Sequence, residues 1–263
     1  MITALDSNGN KVDISDAVDG EKYFCECCGG LLTPRNKKHE NRQRIPHFAH
    51  KDMEDCDGWS HEMSEWHIKW QKRFPLESRE VVVEKNGVKH RADVLINDIV
   101  IEFQHSPIKA EEIEERNNFY LSCGYGVVWV FDADGKIKNG YDENGIDPMR
   151  KDPIVWKVKK TQFSSPMPRG VDVYLEYTIP MNVDGETMNI PIMVLLREVD
   201  PKVIKYRMTK EHIMRWNFCQ QMGVEMIPGS KTVNDLLVPE YMQYKNETTW
   251  IFPKRGSGRR FHF

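Results

Sequence analysis

Apolar and polar positions repeat with two different periods along the chain, and the switches between them mark out its elements. In "SHEMSEWHIKWQKRF" (60–74), Met63, Trp66, Trp70 and Phe74 recur at steps of three and four. That spacing predicts a helix with one apolar face, closed by Pro75. In "EVVVEKNGVKHRADVLINDIVIEFQ" (80–104) the period drops to two, and the "KNG" and "ND" breaks predict three strands joined by tight turns. "IKAEEIEERNNFYLSCG" returns to a helical pattern with Gly124 past its end, and "GVVWVFDADG" reads as a buried strand. The predicted order is α-β-β-β-α-β, an α/β arrangement.

Outside this block the pattern changes. Residues 1–20 predict a short hairpin, "ITAL" and "KVDIS" about a "DSNGN" turn. The segment 23–59 is rich in turn formers and poor in core residues, so something other than hydrophobic burial must hold it. Beyond residue 140, "DVYLEYTI" and "IPIMVLLREV" read as strands around "VDGE", and "KEHIMRWNFCQQMG" as a helix. There is no internal repeat.

Composition narrows the class. The chain has 263 residues, 40% of them hydrophobic and 29% charged, as expected of a globular protein with a real core. No apolar run is long enough to span a bilayer, and "MITALDSNGNKVD" lacks the regions of a signal peptide, so a cytoplasmic location is expected. A net charge of −3 leaves nucleic-acid contact to local patches such as "KRGSGRR" near the end of the sequence. The stretch from Lys254 to Phe263 mixes basic and aromatic residues, which suits backbone contact and base stacking, and equally suits a solvated tail.

Four of the six cysteines, Cys25, Cys27, Cys28 and Cys56, cluster early. In a reducing compartment such a cluster points to a metal rather than to disulfides. Cys25-x2-Cys28 is one short-spaced pair, and His50 with Cys56 is the expected second pair for a tetrahedral, structural Zn²⁺. His47 is the rival of His50. If "PHFAH" is extended, the two histidines lie on opposite faces and do not readily chelate one ion together. Cys27 is then the leftover thiol, and Cys123 and Cys219 are expected to be small core residues.

The strand block carries the second candidate chemistry. With Asn97-Asp98 as a two-residue turn, Ile96 faces Ile99, Leu95 faces Val100, Val94 faces Ile101, and Asp93 faces Glu102, with Cβ atoms about 5 Å apart. Gln104 shares the face of Glu102. Two buried like charges in register repel. A divalent cation between them, Mg²⁺ or Mn²⁺, resolves the conflict and supplies hydrolytic chemistry.

These segments carry a resemblance. "RADVLI", "IEFQHSPI" and "RNNFY" are similar to the nuclease core of the PD-(D/E)XK superfamily. Together with "CECCGG", "IPHFAHKDMEDCD" and "SEWHIKW", they resemble the competence protein CoiA family over about the first half of the chain. The resemblance implies an N-terminal zinc ribbon followed by a restriction-endonuclease-like core with a mixed sheet flanked by helices, then a C-terminal α+β extension. The corresponding boundaries are 1–59, 60–160 and 161–263.

It further implies a metal-dependent deoxyribonuclease acting in DNA uptake, recombination or defence, with RNA still open. The alternative is a catalytically inactive zinc-ribbon adaptor that binds nucleic acid. By the same resemblance, Asp93 and Glu102 bind the cation, and Gln104 stands where the superfamily usually has lysine and orients water. Glu65, with Glu62 as competitor, adds an acid from the first helix. Arg116 and Tyr120 contact substrate, Ser106 occupies a position after the catalytic strand, and His67 matches a histidine of unassigned role. Period-two alternation places Arg91 on the face of Asp93, as a simple ion pair, and turns His105 away from Gln104.

Overall fold

The computed structural model describes residues 1–35, 45–51, 56–59, 63–134, 155–157, 170–183, 186–200, 205–213 and 215–224. The chain divides into two compact units, Met1–Phe103 and Gln104–Phe263. It is an α/β protein with few helices among the described residues.

In the first unit, strands β1 (Thr3–Leu5), β2 (Lys11–Asp13), β3 (Tyr23–Phe24), β4 (Leu31–Arg35) and β5 (His47–His50) form an antiparallel sheet in the order β2-β1-β3-β4-β5. Its small core is Ile2, Ala4, Ile14, Tyr23, Leu32 and Phe48, with Cys25 and Cys27 buried beside them. Helix α1 (Glu65–Gln71) follows, then a single 3₁₀ turn at Leu76–Ser78. Next come β6 (Arg79–Lys85), β7 (Val88–Ile96) and β8 (Ile99–Gln104), paired antiparallel in sequence.

Helix α1 is shorter than its apolar pattern. Ser64 accepts a 3.2 Å hydrogen bond from the His67 N–H and starts the helix there. Met63 before the cap and Ile68 in the first turn both pack on the N-terminal core, the positions of a hydrophobic staple. At the other end the Arg73 and Phe74 N–H groups bond three residues back, to Trp70 and Gln71, which tightens the chain before Pro75. Phe103 meets Trp66, Trp70 and Phe74, its ring stacking on Trp70 at 5.2 Å. The apolar stripe thus works as the sequence predicts, although its ends are not helical.

The 94–101 hairpin has the predicted register: Ile96↔Ile99, Leu95↔Val100 and Val94↔Ile101. Asn97 and Asp98 both sit at positive φ (49° and 59°), the backbone of the tight turn whose twist matches the strands.

In the second unit, helix α2 (Ala110–Ser122) leads to β9 (Gly126–Asp132). The Trp129 indole donates a buried 2.8 Å hydrogen bond to Asn117, locking helix to strand. Strands β10 (Val155–Lys157), β11 (Val171–Val183), β12 (Glu186–Asp200) and β13 (Lys205–Ile213) follow, ordered β10-β13-β12-β11-β9. The β9–β11 pair is parallel and the rest are antiparallel, so the sheet is mixed. Helix α3 (Arg215–Gln221) ends the described chain.

The order α1-β6-β7-β8-α2-β9 is the predicted α-β-β-β-α-β run. The helix expected over 210–223 is corrected. Lys210–Ile213 belongs to β13, where Ile213 pairs with Met193 and His212 with Val194, and only Arg215 onward is helical. Pairing with a long neighbouring strand overrides the local helical pattern. Cys219 is buried as expected, but Cys123 is half-buried at the C-cap of α2 rather than in the core. The segment Lys254–Phe263 lies outside the described residues.

Candidate functional site

Two neighbouring centres lie in the first unit, one of sulfur and imidazole and one of carboxylates. The first is built on a tight turn after β3. The Cys25 N–H donates to the Gly30 carbonyl (2.9 Å), the Gly29 N–H to the Cys25 carbonyl (2.8 Å), and the Gly30 N–H to Cys28 Sγ (3.3 Å). Gly29 supplies the positive φ of 71° that the turn needs. A Cβ on Gly30 would lie 3.1 Å from Cys28 Sγ and 3.4 Å from His50 Cδ2, so this turn and β5 close on each other there.

Strand β5 alternates as expected. Phe48 and His50 are buried, while His47 faces the other way with its Nδ1 2.9 Å from the Ile45 carbonyl. Ligand atoms of Cys25, Cys28, His50 and Cys56 all lie within 4.8 Å of one another. Cys25 Sγ is 3.6 Å from Cys56 Sγ, and Cys28 Sγ is 3.3 Å from His50 Nε2. A zinc tetrahedron with Zn–S bonds of about 2.3 Å has S–S edges of roughly 3.8 Å, so the spacing and donor set fit a metal such as zinc. Burial and the adjacent Cys25 push the Cys56 thiol far up. At Cys28, burial is outweighed by hydrogen bonds from the Gly30 N–H and nearby thiols, and its pKa falls below the usual thiol range.

The Arg91 guanidinium Nη2 lies 3.8 Å from Cys25 Sγ and 3.9 Å from Cys56 Sγ. Asp57, next to Cys56, fastens the same strand: its carboxylate accepts from the Arg91 N–H (2.7 Å) and lies 3.0 Å from His90 Nδ1. Trp59 stacks on the His90 ring at 3.3 Å.

The second centre lies two residues further along β7. Asp93 does not continue the ladder with β8. Instead its Oδ2 accepts a 2.8 Å hydrogen bond from the Phe103 N–H. Its Oδ1 lies 3.0 Å from His67 Nε2 and 3.3 Å from the Gln71 amide nitrogen, which also donates to the Asp93 carbonyl at 3.3 Å. His67 and Gln71 are four apart on α1 and so share a face. Burial alone would lower the His67 pKa; the Asp93 carboxylate, helped by Glu102 and then Glu80, raises it above the ordinary value. Glu102 is buried on β8.

Glu80 stands on β6 between the pairs Arg79↔Val94 and Val81↔Ala92, at a positive φ of 47°. Its carboxylate accepts from the Ile2 N–H (2.8 Å), the Thr3 N–H (2.7 Å) and the Thr3 hydroxyl (2.8 Å).

The remaining expected site residues fall elsewhere. Glu65 is about two-thirds exposed and reaches Lys69 at 3.4 Å. At 100° per residue it lies on the far side of α1 from His67 and Gln71, so the structure does not bring it to Asp93. Glu62 lies outside the described residues. Gln104, buried at the end of β8, donates from its amide to the Ser106 carbonyl (2.6 Å). His105 is close to Asp132 (2.6 Å). Arg116 is buried and donates to Glu112 (2.6 Å), and Tyr120 has no exposed surface.

Sequence reasoning missed Gln71, Asp57 and Glu80. Gln71 had a signal in its four-residue spacing from His67, and Asp57 had one in its place beside Cys56. Glu80, inside "REVVVE", had none, because a positive φ on a strand glutamate leaves no trace in composition.

Residues 62–151 are similar to the family model described as Competence protein CoiA, nuclease-like domain. No curated protein and no solved structure matches the chain with significance. No described helix is long and apolar enough to cross a membrane.

Proposed function

We propose that this chain is a metal-dependent nuclease that hydrolyses phosphodiester bonds in DNA, with residues 1–59 as a zinc ribbon, 60–160 as the nuclease core and 161–263 as an extension. One observation carries the reading. Within the CoiA-like segment, the hairpin register runs up to Val94↔Ile101, so the next residues outward on the two strands are the acids Asp93 and Glu102. Asp93 and Glu102 would hold Mg²⁺ or Mn²⁺, hard cations suited to carboxylate oxygens. When bound, such a cation supplies a Lewis acid and lowers the pKa of a water.

The chain's own residues do the rest. Phe103 N–H, His67 and Gln71 hold the Asp93 carboxylate in one orientation. With its nitrogen committed to Ser106, Gln104 offers its amide oxygen to accept a hydrogen bond from the attacking water and so orient it. A neutral amide cannot neutralise a developing anion, so that task passes to the cation and to basic side chains. Glu65, turned to Lys69, supplies no ligand in this arrangement. The zinc ribbon grips the nucleic acid, and a role in DNA uptake, recombination or defence follows the family.

The test is cleavage of linear, circular and single-stranded DNA, and of RNA, with Mg²⁺ or Mn²⁺, comparing the native protein with Asp93→Asn. Cutting by the native protein alone supports the reading. Equal binding without cutting by either supports the adaptor, a reading favoured by one observation: Asp93 is already engaged by three protein groups.

A further inference from the structure

Gln71 is fully buried on α1, and its amide is half used. The nitrogen donates to the carbonyl and to the carboxylate of Asp93. The oxygen Oε1 is buried and accepts no hydrogen bond among the described residues. Flipping the amide does not help, because it would set Oε1 against the two Asp93 oxygens and leave the nitrogen without them. The orientation is therefore fixed, and a hard oxygen is left over on the side chain that holds Asp93. A buried acceptor without a donor is costly, and such exceptions in a native fold ask for a reason.

We infer that Gln71 is a positioning residue of the cation centre: its nitrogen sets the Asp93 carboxylate, and its Oε1 faces the divalent cation, directly or through one water of its shell. This rests on the reading of Asp93 as a cation ligand and adds a residue to it. A neutral amide oxygen suits Mg²⁺ or Mn²⁺, which take few protein ligands and keep several waters. It also adds no charge beside the Asp93 carboxylate that it already contacts.

The experiment is Mn²⁺ titration of the zinc-loaded full chain, followed by the electron paramagnetic resonance signal of free Mn²⁺. The native protein is compared with Gln71→Leu, Gln71→Glu and Asp93→Asn, each checked for folding by thermal melting. The expected result is that Gln71→Leu, folded, binds Mn²⁺ about tenfold or more weakly, as for other residues that orient metal ligands. Gln71→Glu, which places a charged oxygen where Oε1 stands, binds it more tightly than the native protein. Should Gln71→Leu fail to fold, Gln71→Glu decides alone. Native affinity in whichever of these variants folds overturns the inference, provided that Asp93→Asn has lost the ion. Binding that is indifferent to Asp93→Asn overturns the nuclease reading itself, and the role of Gln71 with it.

Discussion

Asp93 Oδ2 accepts the backbone N–H of Phe103 across the β7–β8 pair at 2.8 Å, taking the place of a ladder carbonyl. One side chain therefore closes the sheet at that point while its other oxygen meets His67 and Gln71. Structure and chemistry are loaded on the same carboxylate, and variants must be chosen to separate them.

Asp93→Asn keeps an oxygen that can accept from Phe103 but turns an NH2 toward Gln71 and His67, so its melting temperature should fall modestly while DNA cleavage falls by about 10²-fold or more. Asp93→Ala leaves the Phe103 N–H without its partner and should cost a further ~1–3 kcal/mol in denaturant unfolding. Equal stability of the two variants would show that the Phe103 bond contributes nothing.

The sulfur–imidazole centre predicts one zinc per chain by elemental analysis. Cys25→Ser, Cys28→Ser, His50→Ala and Cys56→Ser should each lose it and melt at lower temperature, because binding free energy at a structural site is folding free energy. His47→Ala and Cys27→Ser should retain full zinc. Loss of zinc from His47→Ala would reverse the choice between the histidines.

Gly30→Ala tests the same centre by shape. The added methyl would press on Cys28 Sγ at 3.1 Å and on His50 at 3.4 Å. A chelator competition should show weaker zinc retention than native, with ligands unchanged. Unaltered retention would mean that the turn and β5 give way easily.

Asp13 sets an acid limit on stability. Although burial works to raise its pKa, hydrogen bonds from the Ser15 N–H and hydroxyl, with Lys72 and Arg79 alongside, hold it below the ordinary carboxylate value. The unfolded chain thus takes up the proton first as pH falls, so the stabilisation is full above the unfolded pKa of about 3.9 and is lost on descending through the folded value. Asp13→Asn should flatten this part of the stability–pH curve. Near neutral pH, Asp13→Ala should cost about 1–3 kcal/mol by removing the carboxylate partner of Arg79, which keeps its bonds to the Phe74 and Lys72 carbonyls. A curve for Asp13→Asn that overlays the native one would exclude this origin.

Legibility in the sequence followed the kind of interaction. The 94–101 hairpin could be read because Asn97-Asp98 selects a tight turn and the apolar runs on either side fix the register by pleat alone. The four clustered ligands could be read because short spacings and period-two alternation are local rules. The side of α1 that Glu65 takes depends on helix phase, which puts it opposite His67 and beside Lys69. Arg91 answered to sulfur atoms 35 and 66 residues away, and Lys210–Ile213 to a neighbouring strand. Such partners are set by tertiary context, which no local period encodes.

Glu80 has a consequence for anyone who would treat the ribbon as a portable cassette. The amides of Ile2 and Thr3 find their acceptor on β6, and Asp57 finds its donors on β7. Excised residues 1–59 would carry stranded amides and an uncompensated acid, whereas a shortened protein beginning at 60 would leave Glu80 held in a contorted backbone with nothing to bind. Grafting and truncation will therefore succeed only with cuts placed beyond β7, so that both halves of this joint travel together.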